Sequence, residues 1–168
     1  MKRIWIFCLL IAGLILLDQF TKVAIEQNYA LSESTTVIKG FFNITYIRNT
    51  GAAFGMGAGA ADHWRKILFL ALPVLVCFYL MVLIWKTRND RLMLGLSYTL
   101  ILAGAIGNLM DRFAMGYVVD FLDFYYKYHH FPAFNVADSS ITVGAALLLL
   151  DFIIEAIQKK KEDAANPL

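Results

Sequence analysis

The chain has 168 residues, of which 60% are hydrophobic and only 17% charged, with a formal net charge of +2. A soluble domain carries about 45–50% apolar and about 25% charged residues, so this excess cannot fit inside one small core and points to a bilayer. The near-balanced charge is too small to imply a nucleic-acid partner, and the length suits a single membrane-embedded domain over residues 1–168.

In chain order, the first element is an apolar run from Ile4 to Leu17 behind a basic start. A secretory signal would read similarly, but no A-x-A-like cleavage site follows. The run meets Asp18 and Gln19 and resumes at Val23, which predicts an uncleaved span over about 4–25. An outer loop, 26–66, comes next. Within it VIKGFFNITYIRN (37–49) is rich in β-branched and aromatic residues that alternate loosely, which predicts short strands resting on the membrane surface. Gly51, Gly55, Gly57 and Gly59 then predict a hinge over 51–59. A phosphate-cradling loop does not fit there, since no Lys-Ser/Thr pair follows and the strand–loop–helix context is missing.

Ile67–Trp85 and Leu92–Met110 are uncharged runs of about 19 residues. At about 1.5 Å per residue, each can cross a hydrocarbon core of about 30 Å. A second outer loop, 111–138, leads to a fourth span over 139–157, acidic only near its far end at Asp151 and Glu155. Lipid offers no partners to open backbone groups, so each span must be a helix. Four spans leave both termini on one side. Eight Lys and Arg residues crowd about 20 residues of the termini and the 86–91 loop, whereas seven are spread over about 70 residues of the two outer loops. That contrast places both termini in the cytoplasm and the long loops outside. The expected fold class is an all-α polytopic membrane protein with four transmembrane helices and a small β-rich extracytoplasmic cradle on the outer surface.

Polar residues gather near the outer ends of these spans: Asp18, Lys22, Asn49, Asn108, Asp111, Arg112, Asp120, Asp123, Asn135 and Asp138. Ionisable groups so close to hydrocarbon tend to face a protein interior or a polar cavity. Structural readings compete for each. Asp18 and Lys22 are spaced i,i+4 and suit a helix-surface pair. Asp111-Arg112 suits an interfacial anchor with the arginine snorkelling. Asp138 before Ser139 and Ser140 suits a helix N-cap. Asp151 and Glu155 read as plain interfacial charges. Cys8 and Cys77 lie within spans and read as small buried hydrophobes. His63, His129 and His130 lack a ligand-like spacing, so no metal site is expected, and no Ser–His–Asp or Cys–His set can be assembled.

Carboxylates remain. Two aspartates held together cannot both ionise at neutral pH, and such a pair can activate a water. Asp120 and Asp138 suit this role, because one follows the third span and the other opens the fourth.

Five blocks carry a resemblance: DQFTK (18–22), RNTGAAFG (48–55), AGAIGNLMDR (103–112), GYVVDF (116–121) and FNVADSSI (134–141). In this order, and with the spans between them, the chain resembles the bacterial lipoprotein signal peptidases, the type II signal peptidases. The resemblance implies an aspartic endopeptidase of the inner (cytoplasmic) membrane that needs no cofactor and acts as a monomer among membrane lipids. Its substrates would be diacylglyceryl-modified prolipoproteins, cut on the N-terminal side of the lipidated cysteine. Asp120 and Asp138 match the catalytic pair; Asn49, Gly51, Gly104, Asn108, Arg112 and Asn135 match residues lining the site; Asp18 and Lys22 match its structural support. Three other readings differ in what they require. A proton or ion relay would string its acids through the bilayer, a helix-packing scaffold would tolerate neutral replacements of the two aspartates, and a metallopeptidase would be sensitive to chelators.

Overall fold

A computed structural model describes residues 2–51, 67–89 and 91–165. The chain runs as helix α1 (Lys2–Asn28), strands β1 (Ser34–Ile38) and β2 (Phe42–Asn49), and helix α2 (Leu72–Thr87). Next come helix α3 (Leu92–Met115), strands β3 (Val118–Tyr126) and β4 (His129–His130), and helix α4 (Val136–Ala165). All four helices, the second taken from Ile67 through Thr87, are long and apolar enough to cross a membrane. The expected hinge over 51–59 lies, beyond Gly51, outside the described residues, as does His63.

Helices α1, α3 and α4 exceed their expected bounds, because apolar periodicity is silent about the polar turns that continue a helix past the hydrocarbon, whereas α2 starts later than expected, at Leu72, and ends two residues beyond Trp85. The excess matters most at α4, which begins at Val136 rather than at 139. A π-helical turn, Ile67–Ala71, precedes α2, whose first turn carries Pro73. Proline has no N–H to give and crowds the preceding turn, and a wider turn relieves both.

Helix α3 is the axle. Its membrane window is 56% buried inside the protein, against 11% for α1 and 17% for α2 and α4. Small residues let the neighbours come close. A Cβ built on Gly104 would meet the Ala137 carbonyl oxygen at 2.2 Å, and one on Gly144 would meet the Ser97 carbonyl oxygen at 2.8 Å. Lipid tails are as apolar as leucine, so close packing rather than water exclusion holds such helices together. Phe7, Cys77, Leu80, Ile84, Leu102 and Leu109 fill the space between α1, α2 and α3. At the end bearing both termini, Arg91 reaches across to Asp151 and to Glu155, the latter at 2.9 Å. The two acids that look like plain interfacial charges in the sequence are therefore a helix–helix tie.

Helix α3 ends at Gly116, which takes the left-handed conformation (φ 79°) and donates its N–H to the Arg112 carbonyl at 3.1 Å. A residue with a Cβ would be strained there, so the glycine releases the chain into β3. The four strands form an antiparallel sheet in the order β1-β2-β3-β4. The expected strand segment 37–49 belongs to a hairpin of two strands that starts earlier, at Ser34, and β3 is a strand that the sequence does not announce. Its residues VVDFLDFYY are mostly buried and do not alternate, so the period-2 signal is absent. The register pairs Ile44 with Leu122 and Ile47 with Asp120, leaving one extra residue in β2. That bulge sits beside Asp120, where a local kink re-aims side chains. Ile25, Tyr46, Val119 and Phe121 form a second core between the sheet and the end of α1.

Candidate active site

The N-terminus of α4 organises the site. Asn135 stands at its N-cap and accepts the Asp138 N–H on Oδ1 at 2.8 Å, while Asp138 Oδ2 accepts the Asn135 N–H at 3.3 Å. This is a reciprocal capping box. Asp138 is therefore not the N-cap that its position suggests but the third residue of the helix, which turns its carboxyl back over the helix end. Asp18 of α1 accepts another free helix donor, the Ala137 N–H, at 2.9 Å.

Asp120 comes from β3. Asn135 Nδ2 donates to its Oδ1 at 2.7 Å, and Asn49 Nδ2 of β2 donates to its Oδ2 at 3.0 Å. From α3, Asn108 Nδ2 donates to Asp138 Oδ1 at 2.7 Å. All four carboxylate oxygens of the two acids thus receive a hydrogen bond, and Asn135 binds both residues. Obligate donors orient the two amides. Lys22 Nζ donates to Asn108 Oδ1 at 3.0 Å, and a lysine can only donate. The backbone N–H of Asp138 occupies Asn135 Oδ1 in the same way. Each amide is left with its NH2 toward a carboxylate.

Behind Asn108 lies a buried charge cluster. Lys22 contacts Asp18 Oδ2 and Asp111 Oδ2, both at 2.8 Å, and all three side chains are at most 2% exposed. Gln19 donates to Asp111 Oδ1 at 2.8 Å. The i,i+4 pair expected on a helix surface is thus an interior triad. Asp111, an interfacial anchor by its position in the sequence, is its third member, and Gln19 is a partner that sequence reasoning missed. Asp111 falls three residues after Asn108, on the same helix face, which is the signal that could have found it.

Arg112 lies one turn beyond Asn108 and donates through Nη2 to the Gly51 carbonyl at 2.8 Å. Gly51 N–H in turn donates to Asn49 Oδ1 at 2.9 Å. Arg112 Nε is buried with no partner among the described residues. Gly104 touches none of these groups; it sets the approach of α3 to α4.

These side chains close one end of a cavity of about 730 Å3. Asn49, Asn108, Arg112, Asp120 and Asp138 line its polar end; Leu68, Phe69, Pro73, Phe131, Phe134, Ile141 and Val143 line the rest. Burial pushes the Asp120 carboxyl up to about 7, and the nearby charge of Asp138 adds to the rise. Hydrogen bonds from Asn49 and Asn135 pull the other way. Such a carboxyl is poised to hold or release a proton near neutrality. No group of three or more His, Cys, Asp or Glu side chains able to hold a metal ion occurs among the described residues.

The sequence matches the family model described as Signal peptidase (SPase) II over residues 10–154. The chain belongs to the signal peptidase II family. It is 47% identical over 163 residues to a lipoprotein signal peptidase of Syntrophus aciditrophicus, covering 96% of this chain and 99% of that one. A lipoprotein signal peptidase of Haemophilus ducreyi is 42% identical over 164 residues, with 96% of each chain covered. Among solved structures, one described as a bacterial membrane enzyme structure at 2.3 Å resolution superposes with a TM-score of 0.81. It is 32% identical, with 93% of this chain and 92% of that one covered. The expected fold class, four membrane-crossing helices with a small sheet, is the fold observed.

Proposed function

We propose that this member of the family is an aspartic endopeptidase that removes signal peptides from diacylglyceryl-modified prolipoproteins. It cuts on the N-terminal side of the lipidated cysteine. One observation carries the reading: Asp120 and Asp138, brought from different elements, share Asn135 at the polar end of a largely apolar cavity. A lipidated peptide needs both surroundings, polar groups for the scissile bond and an apolar groove for acyl chains.

In the mechanism, Asp138 takes a proton from water as the water attacks the scissile carbonyl. Asp120, protonated, hydrogen-bonds the carbonyl oxygen and supports the developing charge. The proton held by Asp138 then passes to the leaving amine as the C–N bond breaks. The assignment is supported by the burial of Asp120, which pushes its carboxyl up to about 7. Against the burial of Asp138, its charged form is supported by the hydrogen bonds from Asn108 Nδ2 and the Asn135 N–H and by the N-terminal dipole of α4. Arg112, with an unpartnered Nε at the cavity's polar end, suits a substrate carbonyl or headgroup oxygen.

The whole chain acts as one membrane-embedded peptidase domain and as a monomer. It lies in the cytoplasmic membrane with both termini inside and the aspartates near the outer face, the placement that the Lys and Arg distribution favours.

Cleavage of a diacylglyceryl-modified prolipoprotein by the purified chain in detergent tests this reading, with the unmodified precursor as comparison. Wild type is expected to cut only the lipidated precursor, and Asp120→Asn and Asp138→Asn to be folded and inactive. Near-normal cutting by either variant would sink the aspartic mechanism.

A further inference from the structure

Beyond Asp120, strand β3 carries a second buried carboxylate that the mechanism does not use. Asp123 is 8% exposed and accepts Asn43 Nδ2 of β2 at 2.9 Å. Its other partner is His130 of β4, whose Nδ1 lies 2.8 Å from Oδ1 and 3.0 Å from Oδ2. A carboxylate only accepts, so His130 Nδ1 carries the proton. The His130 ring also stacks on Tyr125, with centroids 5.0 Å apart and planes 11° apart.

The four residues after His130 give the pair its meaning. Phe131, Pro132, Ala133 and Phe134 form one wall of the cavity, and the next residue is Asn135. The wall is therefore a short strap with a polar fixing at each end. Asn135 holds the inner end to both aspartates, and His130 holds the outer end to Asp123. Between them the strap leans on Phe124, which stacks on Phe134 at 5.8 Å and accepts the Phe131 N–H on its carbonyl at 2.8 Å.

We propose that Asp123 and His130 are positioning residues: their pair holds the 131–134 strap as a preformed wall for the lipidated end of the substrate. The inference rests on the peptidase reading of the cavity. Without the His130 donor, the Asp123 carboxylate keeps Asn43 as its remaining side-chain partner, and the strap's outer end loses its polar fixing and loosens. Substrate binding must then include ordering the strap, which weakens binding without touching the groups that perform the chemistry.

Two measurements on the purified full chain test the pair, comparing wild type, His130→Ala and His130→Asn. Asparagine keeps a donor close to the position of Nδ1. In steady-state cleavage of the lipidated precursor, His130→Ala is expected to raise KM about tenfold, with kcat within about twofold, and His130→Asn to restore KM most of the way. Without substrate, hydrogen exchange of the Phe131 and Phe134 amides should quicken in His130→Ala and stay near wild type in His130→Asn. Unchanged KM and exchange in His130→Ala would mean that the aromatic stack and the backbone bonds of Phe131 and Phe134 to β3 hold the wall without the pair, and the proposal falls. It falls equally if kcat drops while KM holds, or if His130→Asn behaves like His130→Ala. Failure of wild type to cut the lipidated precursor would overturn the peptidase reading instead, and the exchange measurement would still decide the clamp.

Discussion

Asn108 donates to Asp138 at 2.7 Å from the facing helix, and its own oxygen is held by the buried ammonium of Lys22 at 3.0 Å. A lysine inside a membrane protein thus sets the orientation of an amide that in turn holds a catalytic candidate. Asn108→Ala removes the donor and leaves Lys22 with two carboxylates alone. With the chain still folded, kcat is expected to fall about a hundredfold or more while KM changes little, the pattern for a group that acts in the transition state. Single-turnover cleavage separates the two effects.

The raised Asp120 carboxyl predicts that both activity and stability depend on pH. In the proposed mechanism Asp120 is the protonated partner, so kcat/KM should fall about tenfold per pH unit above about pH 7. The acid and alkaline limbs belong to the pair of aspartates rather than to either alone. For stability, the folded value of about 7 lies above the ordinary 3.8. A group raised in this way contributes fully below the unfolded value, and that stability is lost as pH climbs toward 7. Asp120→Asn cannot ionise and escapes the loss. Its melting temperature should exceed that of wild type by a few degrees at pH 8, with the gap closing at pH 4. An equal gap at both pH values would show that Asp120 does not carry the linkage.

The Lys22 triad is expected to dominate the stability of the end of the bundle that carries the site. Lys22→Met leaves Asp18 and Asp111 facing each other in the interior, and breaking a buried pair from one side costs about 3–5 kcal/mol. Thermal unfolding in detergent should show the loss. Adding Asp111→Asn to Lys22→Met should recover part of it; no recovery would mean that the lysine stem packs rather than pairs.

Glycines give an internal contrast. At Gly104 a methyl group would strike the Ala137 backbone, so Gly104→Ala must push α4, and with it Asp138, away from α3. Loss of both stability and kcat is expected. Gly13 of α1 has nothing within 4 Å of a built Cβ, so Gly13→Ala should leave cutting unchanged and raise helix stability by up to about 1 kcal/mol. Equal behaviour of the two variants would refute the packing argument.

Much of this architecture is legible in the sequence, because a bilayer simplifies the problem. Uncharged runs of about 19 residues can only be helices there, so Ile67–Trp85 and Leu92–Met110 declare themselves by length alone. The hairpin in 37–49 is half visible through its β-branched and aromatic residues. Strand β3 is hidden because its first four residues are all buried, and a run without an exposed face has no alternation to read.

At the site, residue types point to a pair of carboxylates, but sequence spacing does not say what a side chain meets across a helix interface. Asp138 looks like a cap, and only the fold shows Asn135 taking that place, with Asp138 folded back over the helix end. Asp18 and Lys22 look like a surface pair because four residues along a helix share a face. That the face turns inward onto Asp111 and Asn108 depends on the close approach of α1 to α3, where a Cβ on Gly107 would meet Asp18 Oδ2 at 2.6 Å. By itself, then, the sequence determined the number of helices and the chemical kind of the site, since burial in lipid and the scarcity of charge leave few alternatives. The tertiary structure decided which donor faces which acid, because apart from the Asn135–Asp138 capping box those contacts join residues 15 to 119 positions apart and depend on packing rather than on local preference.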